Sequence, residues 1–145
     1  MTPKEWGLAA MSALEIAQLA LRVALAAAFI GMGILHFLPK GRRTMQAMIP
    51  PRLRMKPPLH PHGLVVISGL AEIAGGIGLL MPWDWVRIAA GIGLVLLLIA
   101  VFPANAYAAT RPEKFGTLAV PHLPRLIGQI VLVALVVAAS LPLTA

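Results

Sequence analysis

The sequence contains no cysteine and few charged side chains. None of its 145 residues is Cys, so the chain can form no disulfide, offer no thiolate to a metal and carry out no thiol exchange. Only 12% of the residues are charged and 59% are hydrophobic, which excludes an ordinary soluble domain and is typical of polytopic membrane proteins. Any redox chemistry would therefore have to come from a bound group or a partner.

Four apolar stretches are each close to the ~20 residues that cross about 30 Å of hydrocarbon. Glu15 and Arg22 interrupt the first stretch, which stays apolar to Phe37 and is therefore expected to be a retained helix rather than a signal peptide. We predict a single all-α domain over residues 1–145, an integral membrane four-helix bundle. The predicted spans are residues 14–38, 63–81, 86–109 and 126–143, with a basic, Pro-rich connection at 39–62.

The net charge of +7 is concentrated in loops rather than spread over a nucleic-acid-binding face. The first connection holds Lys40, Arg42, Arg43, Arg52, Arg54 and Lys56, and Arg111, Lys114 and Arg125 lie in or beside the third. Because Lys and Arg mark cytoplasmic loops, we predict that these two loops are cytoplasmic, that both termini are outside and that no nucleic acid is bound. A short interfacial helix is predicted within residues 41–49, with a solvated basic loop as the alternative.

Small residues four positions apart indicate which helix faces meet. In the second span, Gly69, Gly75 and Gly76 lie close to Glu72, so this carboxylate is expected to point into the bundle. The same spacing predicts packing faces on the other three spans, at Ala27 and Gly31, Ala89 and Gly93, and Ala134 and Ala138.

Glu72 is the midpoint of the second span. A charge at that depth costs about 2 to 4 kcal/mol on insertion scales, so it should face protein. We expect Arg22 to form a structural ion pair with Glu72, and we expect Arg125 to be a second cation near this carboxylate. The alternative is a titratable group that takes up a proton or binds a polar ligand, and the two roles are compatible.

Each span contributes one polar side chain to a seam that is expected mostly in the inner half of the membrane, with Glu72 at the midpoint. Helix midpoints and a rise of ~1.5 Å per residue place His36 about 15 Å to the cytoplasmic side of its midpoint, with Arg22 about 6 Å to the outer side. We expect the four side chains to line one cavity for a small polar or quinone-like ligand. They are His36, Glu72, Asn105 and Gln129. Alternatively, His36 is an interfacial residue satisfied by water or backbone, and the histidine spacing predicts no metal site.

These residues resemble the DoxX-like family of small bacterial membrane proteins. The resemblance covers nearly the whole chain and rests on Gly33-Ile-Leu-His36-Phe37, on Met48-Ile49-Pro50, on the glycine-rich run from Ile67 through Glu72 to Leu80, and on Val101-Phe-Pro103-Ala-Asn105. It implies a four-helix protein of the bacterial inner membrane, with periplasmic termini on the topology above. Some members of that family are subunits of a thiosulfate:quinone oxidoreductase, so the resemblance implies this role as one candidate.

Three functions remain open at this point. The chain can be an accessory subunit of a quinone-linked oxidoreductase, with a redox partner at the basic cytoplasmic loop and a quinone as ligand. It can instead carry a small solute or protons, or act as a non-catalytic assembly factor. We do not expect it to be an enzyme by itself, and an oligomer is compatible with each function.

Overall fold

A computed structural model describes residues 11–143 of the chain, and these residues form an all-α bundle. The helices are α1 (Ala13–Leu35), α2 (Pro39–Met48), α3 (Pro61–Leu79), α4 (Asp84–Ala109), α5 (Pro112–Phe115) and α6 (His122–Ser140), with single 3₁₀ turns at Pro51–Leu53 and Gly116–Leu118. Four helical segments, which contain α1, α3, α4 and α6, are long and apolar enough to cross a membrane. The predicted four-helix fold class is confirmed, and the ends of the predicted spans differ from these helices by at most four residues.

Local sequence explains where the helices begin. Ser12 caps α1 in a reciprocal capping box, in which the Glu15 backbone N–H donates to Ser12 Oγ (3.2 Å) and Ser12 N–H donates to a Glu15 carboxylate oxygen (2.7 Å). The helices α2, α3 and α5 start with proline, whose fixed φ and missing N–H suit the first helical position. Proline in the long first connection therefore ends one helix and starts the next.

The four long helices pack in a ring. Each contacts its two neighbours, so that α1 packs on α3, α3 on α4, α4 on α6, and α6 back on α1. The buried core lies toward the end of the bundle where α3 joins α4, and it consists of Leu25, Phe29, Leu79, Leu94, Val136 and Ala139. On the outer surface, Val23, Ile67, Leu96 and Ile130 are each at least half exposed, as expected of lipid-facing side chains.

The helix α2 lies beneath the bundle, in contact with α3 and α4. Its Met45 and Met48 are half-buried, Ile49 just after it is buried, and Lys40 and Arg43 are exposed. The predicted short helix is thus present, with its apolar side against the bundle.

Only one of the predicted small-residue faces lies at a helix contact. Gly69, Gly75 and Gly76 of α3 are buried, as predicted. The pairs on the other helices are exposed instead, and a Cβ added at Gly31 or Gly93 would meet nothing within 4 Å. The prediction of packing faces at Ala27 and Gly31, Ala89 and Gly93, and Ala134 and Ala138 is therefore wrong for the isolated chain, because α1, α4 and α6 turn these faces outward.

Candidate functional site

Two glycines bring α1 and α3 into direct backbone contact. A Cβ at Gly33 would lie 2.7 Å from the Gly69 carbonyl oxygen, and a Cβ at Gly69 would lie 2.7 Å from His36 Cβ. Both distances are shorter than a carbon atom tolerates, so only glycine permits this crossing. His36 and Glu72 each lie three residues after one of these glycines, which places them side by side.

His36 and Glu72 form a buried pair. His36 Nδ1 lies 3.1 Å from a Glu72 carboxylate oxygen, and the two side chains are only 8% and 13% exposed. The distance is that of an ion pair, but the angles are not those of a hydrogen bond, so both atoms are buried without a hydrogen-bond partner. Because buried polar groups normally find partners, these two unpartnered atoms make the pair the candidate site.

The second polar atom of each side chain is also free of hydrogen bonds within residues 11–143. These atoms are His36 Nε2 and Glu72 Oε1, and the two side chains are 8% and 13% exposed. A neutral imidazole offers one donor and one acceptor, and a carboxylate offers only acceptors until it is protonated. The pair can therefore exchange a proton with a group that reaches it from outside the helix contact.

The contact corrects the depth that helix midpoints assign. Depths counted from the helix midpoints place His36 about 15 Å from Glu72 along the membrane normal, yet the two side chains are in contact. Because Gly33 packs on Gly69, the last turn of α1 is level with the middle of α3. The first turns of α3 extend past the end of α1 and pack against α2 instead.

Arg22 does not pair with Glu72. Its Nε donates to the Ala139 carbonyl oxygen (2.8 Å) and its Nη2 donates to Gln18 Oε1 (2.5 Å). Gln18 in turn donates to the carbonyl oxygens of Ala138 (2.9 Å) and Leu141 (2.8 Å). The predicted Arg22–Glu72 ion pair is therefore wrong. Arg22 instead satisfies the Ala139 carbonyl in the last turn of α6, where a cation is favoured by the helix dipole.

Arg125 is not a partner of Glu72 either. Its Nη2 donates to the Leu118 carbonyl oxygen (2.6 Å) in the turn before α6. This hydrogen bond ties the first turns of α6 to the connection from α5. Among residues 11–143, the ion pairs are His36 with Glu72 and Arg87 with Asp84, so Arg125 has no carboxylate partner there.

Within residues 11–143, neither Asn105 nor Gln129 hydrogen-bonds to the pair. Gln129 Nε2 donates to the Leu98 carbonyl oxygen of α4 (3.0 Å). This carbonyl lies close to the helical turn before Pro103, which is weakened because proline has no N–H to donate to the Ile99 carbonyl oxygen. Gly75 packs on Leu94 and Gly78 on Ala90, so the antiparallel register puts Glu72 level with about residue 97. Asn105 then lies about 12 Å farther along α4, and its side chain makes no hydrogen bond in the described part of the chain. We therefore keep His36 and Glu72 as the candidate site.

Sequence reasoning missed a second polar cluster at the opposite end of the bundle. A cavity of about 240 Å³ there is lined by Glu15, Arg22, Asp84 and Arg87. Arg87 pairs with Asp84 and donates to the carbonyl oxygens of Met81 (3.0 Å) and Pro82 (2.9 Å). The sequence signal for this cluster is the spacing of Glu15, Gln18 and Arg22, which recur three and four residues apart on one face of α1.

The histidines of the first connection do not build a metal centre. The rings of His60 and His62 lie 5.8 Å apart and are tilted by 49°. Across the described range, no group of three or more His, Cys, Asp or Glu side chains is arranged to hold a metal ion. Gln46 Nε2 lies 3.2 Å from His62 Nδ1, which links α2 to the start of α3.

Comparison with protein-family models gives a match over most of the chain. A family model described as a domain of unknown function, DUF8561, matches residues 25–140, a range that contains the His36–Glu72 pair and all of α2 to α6. No curated protein and no solved structure matches the chain.

Proposed function

The chain belongs to the DUF8561 family, and we propose that it is an inner-membrane protein that binds a small polar or quinone-like ligand at the His36–Glu72 pair. The observation that carries this proposal is the pair itself: two titratable side chains in contact inside a membrane bundle, each with a buried atom that lacks a hydrogen bond. Ionisable groups in membrane spans mark ligand or proton pathways by default.

The chemistry of the pair suits a ligand that takes up protons with electrons. An imidazole N–H can donate to a ligand carbonyl oxygen, and a protonated Glu72 can do the same from the neighbouring helix. The chain would supply protons and position, and an associated oxidoreductase would supply electrons, in agreement with the resemblance to the DoxX-like family.

The basic first connection is the proposed docking surface for that oxidoreductase. It carries six Lys and Arg residues between positions 39 and 62, and the positive-inside rule places it in the cytoplasm, with periplasmic termini. The His36–Glu72 pair lies toward this side, at the end of α1. A cytoplasmic partner would therefore meet the same end of the bundle as the ligand.

The test of ligand binding is a comparison of two carboxylate variants. Glu72→Gln keeps the shape of the side chain and removes its charge and proton, whereas Glu113→Gln makes the same change at an exposed position in α5. We expect wild type and Glu113→Gln to retain a short-chain ubiquinone in native mass spectrometry, and Glu72→Gln to bind it at least tenfold more weakly. Equal retention by all three proteins would contradict the proposal.

A second function, proton transfer without a ligand, is favoured by the direct contact between two titratable side chains inside the bundle. In proteoliposomes containing a trapped pH indicator, this function would give proton flux without added quinone, and the flux would be lost in Glu72→Gln. Flux without quinone binding would replace the first proposal by the second.

A further inference from the structure

A groove lies at the end of the bundle where α2 packs, between the turn at residues 50–53, the C-terminal part of α4 and the start of α6. It has a volume of about 600 Å³, within the range of about 300–1,000 Å³ that is usual for ligand sites. We propose that it binds the phosphate headgroup of an anionic phospholipid, with part of the acyl chain in the groove. This site is separate from the His36–Glu72 pair, and the proposal does not depend on the function proposed above.

The charge of the groove selects an anion. Arg52, Arg111 and His122 line it, and no carboxylate does. Within residues 11–143, none of the three has an Asp or Glu oxygen within 4.0 Å. Two guanidinium groups offer forked donors that match phosphate oxygens, so the groove presents unneutralised cations to whatever occupies it.

One of these cations is held in place by aromatic packing. The Arg111 guanidinium carbon lies 5.3 Å from the centroid of the Tyr107 ring, a cation–π distance. Tyr107 is fixed in turn by an edge contact with Phe115, at 6.4 Å between centroids, and Phe115 is only 7% exposed. Pre-positioning lowers the entropy cost of binding a headgroup at this arginine.

The other wall of the groove is apolar and runs into the membrane span. Pro103, Ala106, Tyr107 and Thr110 recur three or four residues apart, so one face of α4 lines the groove over about 10 Å of helix. Leu53 faces this wall from the first connection and is 37% exposed. A soluble phosphate compound has no apolar part that would pack on this wall, whereas an acyl chain can pack on it and extend into the bilayer. Basic pockets between helices at the membrane surface are a known mode of phospholipid binding.

The experiment measures lipid binding by the full chain in neutral detergent. Native mass spectrometry is run with phosphatidylglycerol and with phosphatidylcholine of the same acyl chains. We expect the wild type to prefer phosphatidylglycerol, and the double variant Arg52→Gln with Arg111→Gln to lose about tenfold or more of that binding. The matched control, Lys40→Gln with Arg43→Gln, removes two exposed charges of α2 that do not line the groove and should bind like wild type.

Two further arms separate the possible results. Ala106→Leu narrows the groove without changing charge and should also weaken phosphatidylglycerol binding. Inorganic phosphate at the same concentration should not displace the lipid, and displacement by it would mean a phosphate site without a lipid role. Equal binding of both lipids, or an equal loss in the Lys40 and Arg43 control, would overturn the proposal, because either result indicates general surface charge.

Discussion

At the scale of single residues, the partner of Glu72 is set by geometry rather than by charge. Arginine stays charged at any physiological pH, yet Arg22 already donates to Gln18 Oε1 and to the Ala139 carbonyl oxygen. Histidine is charged only when it is protonated, so the His36–Glu72 contact can exist as an ion pair or as a neutral pair. A pair that can change its charge state is better suited to proton exchange than a fixed Arg–Glu pair.

The interaction of His36 with Glu72 can be measured by a double-mutant cycle. We predict that His36→Ala and Glu72→Ala each lower the free energy of unfolding by about 1–3 kcal/mol, because each leaves a buried polar group alone. The double variant should cost less than the sum, since no unpaired group remains. The measurement is thermal unfolding in detergent, with Arg22→Ala combined with Glu72→Ala as the control cycle.

The control cycle should be additive within about 0.5 kcal/mol, because Arg22 and Glu72 share no contact. Coupling between Arg22 and Glu72, together with additivity between His36 and Glu72, would support the Arg22–Glu72 ion pair that the sequence predicts. It would also remove the basis for the candidate site.

At the scale of helices, the site depends on the glycine crossing of α1 and α3. Gly33→Ala places a methyl group 2.7 Å from the Gly69 carbonyl oxygen and 2.6 Å from Ile73 Cγ1, so the helices must separate. We predict a loss of about 1–3 kcal/mol in the free energy of unfolding and weaker ubiquinone retention, because His36 moves away from Glu72. Thermal unfolding and native mass spectrometry measure the two effects.

Gly31→Ala is the matched control on the same helix. A Cβ at Gly31 meets nothing within 4 Å, so the change should be neutral, or stabilising by up to about 1 kcal/mol through helix propensity. Equal destabilisation by both substitutions would show that Gly31, too, lies at a packed interface, such as one with a second copy of the chain.

The comparison of Gly31 with Gly33 also shows what the sequence can predict. Hydropathy predicts the spans, because crossing a bilayer fixes both length and composition. The inward orientation of Glu72 follows from the glycines around it. The partner of Glu72 does not follow from the sequence, because it depends on the position of α1 along α3. That position is set by which glycines come into contact, and α1 carries small residues on two faces. Depths from helix midpoints assume level helices, and α3 is not level with α1.

At the scale of the whole molecule, both ends of the bundle have polar structure of different kinds. The end that carries α2 has the basic connection, the phospholipid groove and the nearby His36–Glu72 pair. At the opposite end, Arg22, Gln18 and Arg87 each donate to backbone carbonyl oxygens, while Arg87 Nε is buried without a hydrogen-bond partner. The proposed ligand site and the proposed docking surface both lie toward the first end, so the orientation of that end in the membrane is decisive for the proposed function.

The absence of cysteine permits a clean test of that orientation. Single-cysteine variants can be labelled in spheroplasts with a membrane-impermeant maleimide, with no background from native thiols. We predict that Pro82→Cys, in the exposed turn between α3 and α4, is labelled in intact spheroplasts, because this turn has few basic residues and is predicted to be periplasmic. Lys56→Cys, exposed in the basic connection, should react only after permeabilisation. The opposite pattern would put the His36–Glu72 pair and the groove on the periplasmic side, and a cytoplasmic oxidoreductase could then not dock at this end.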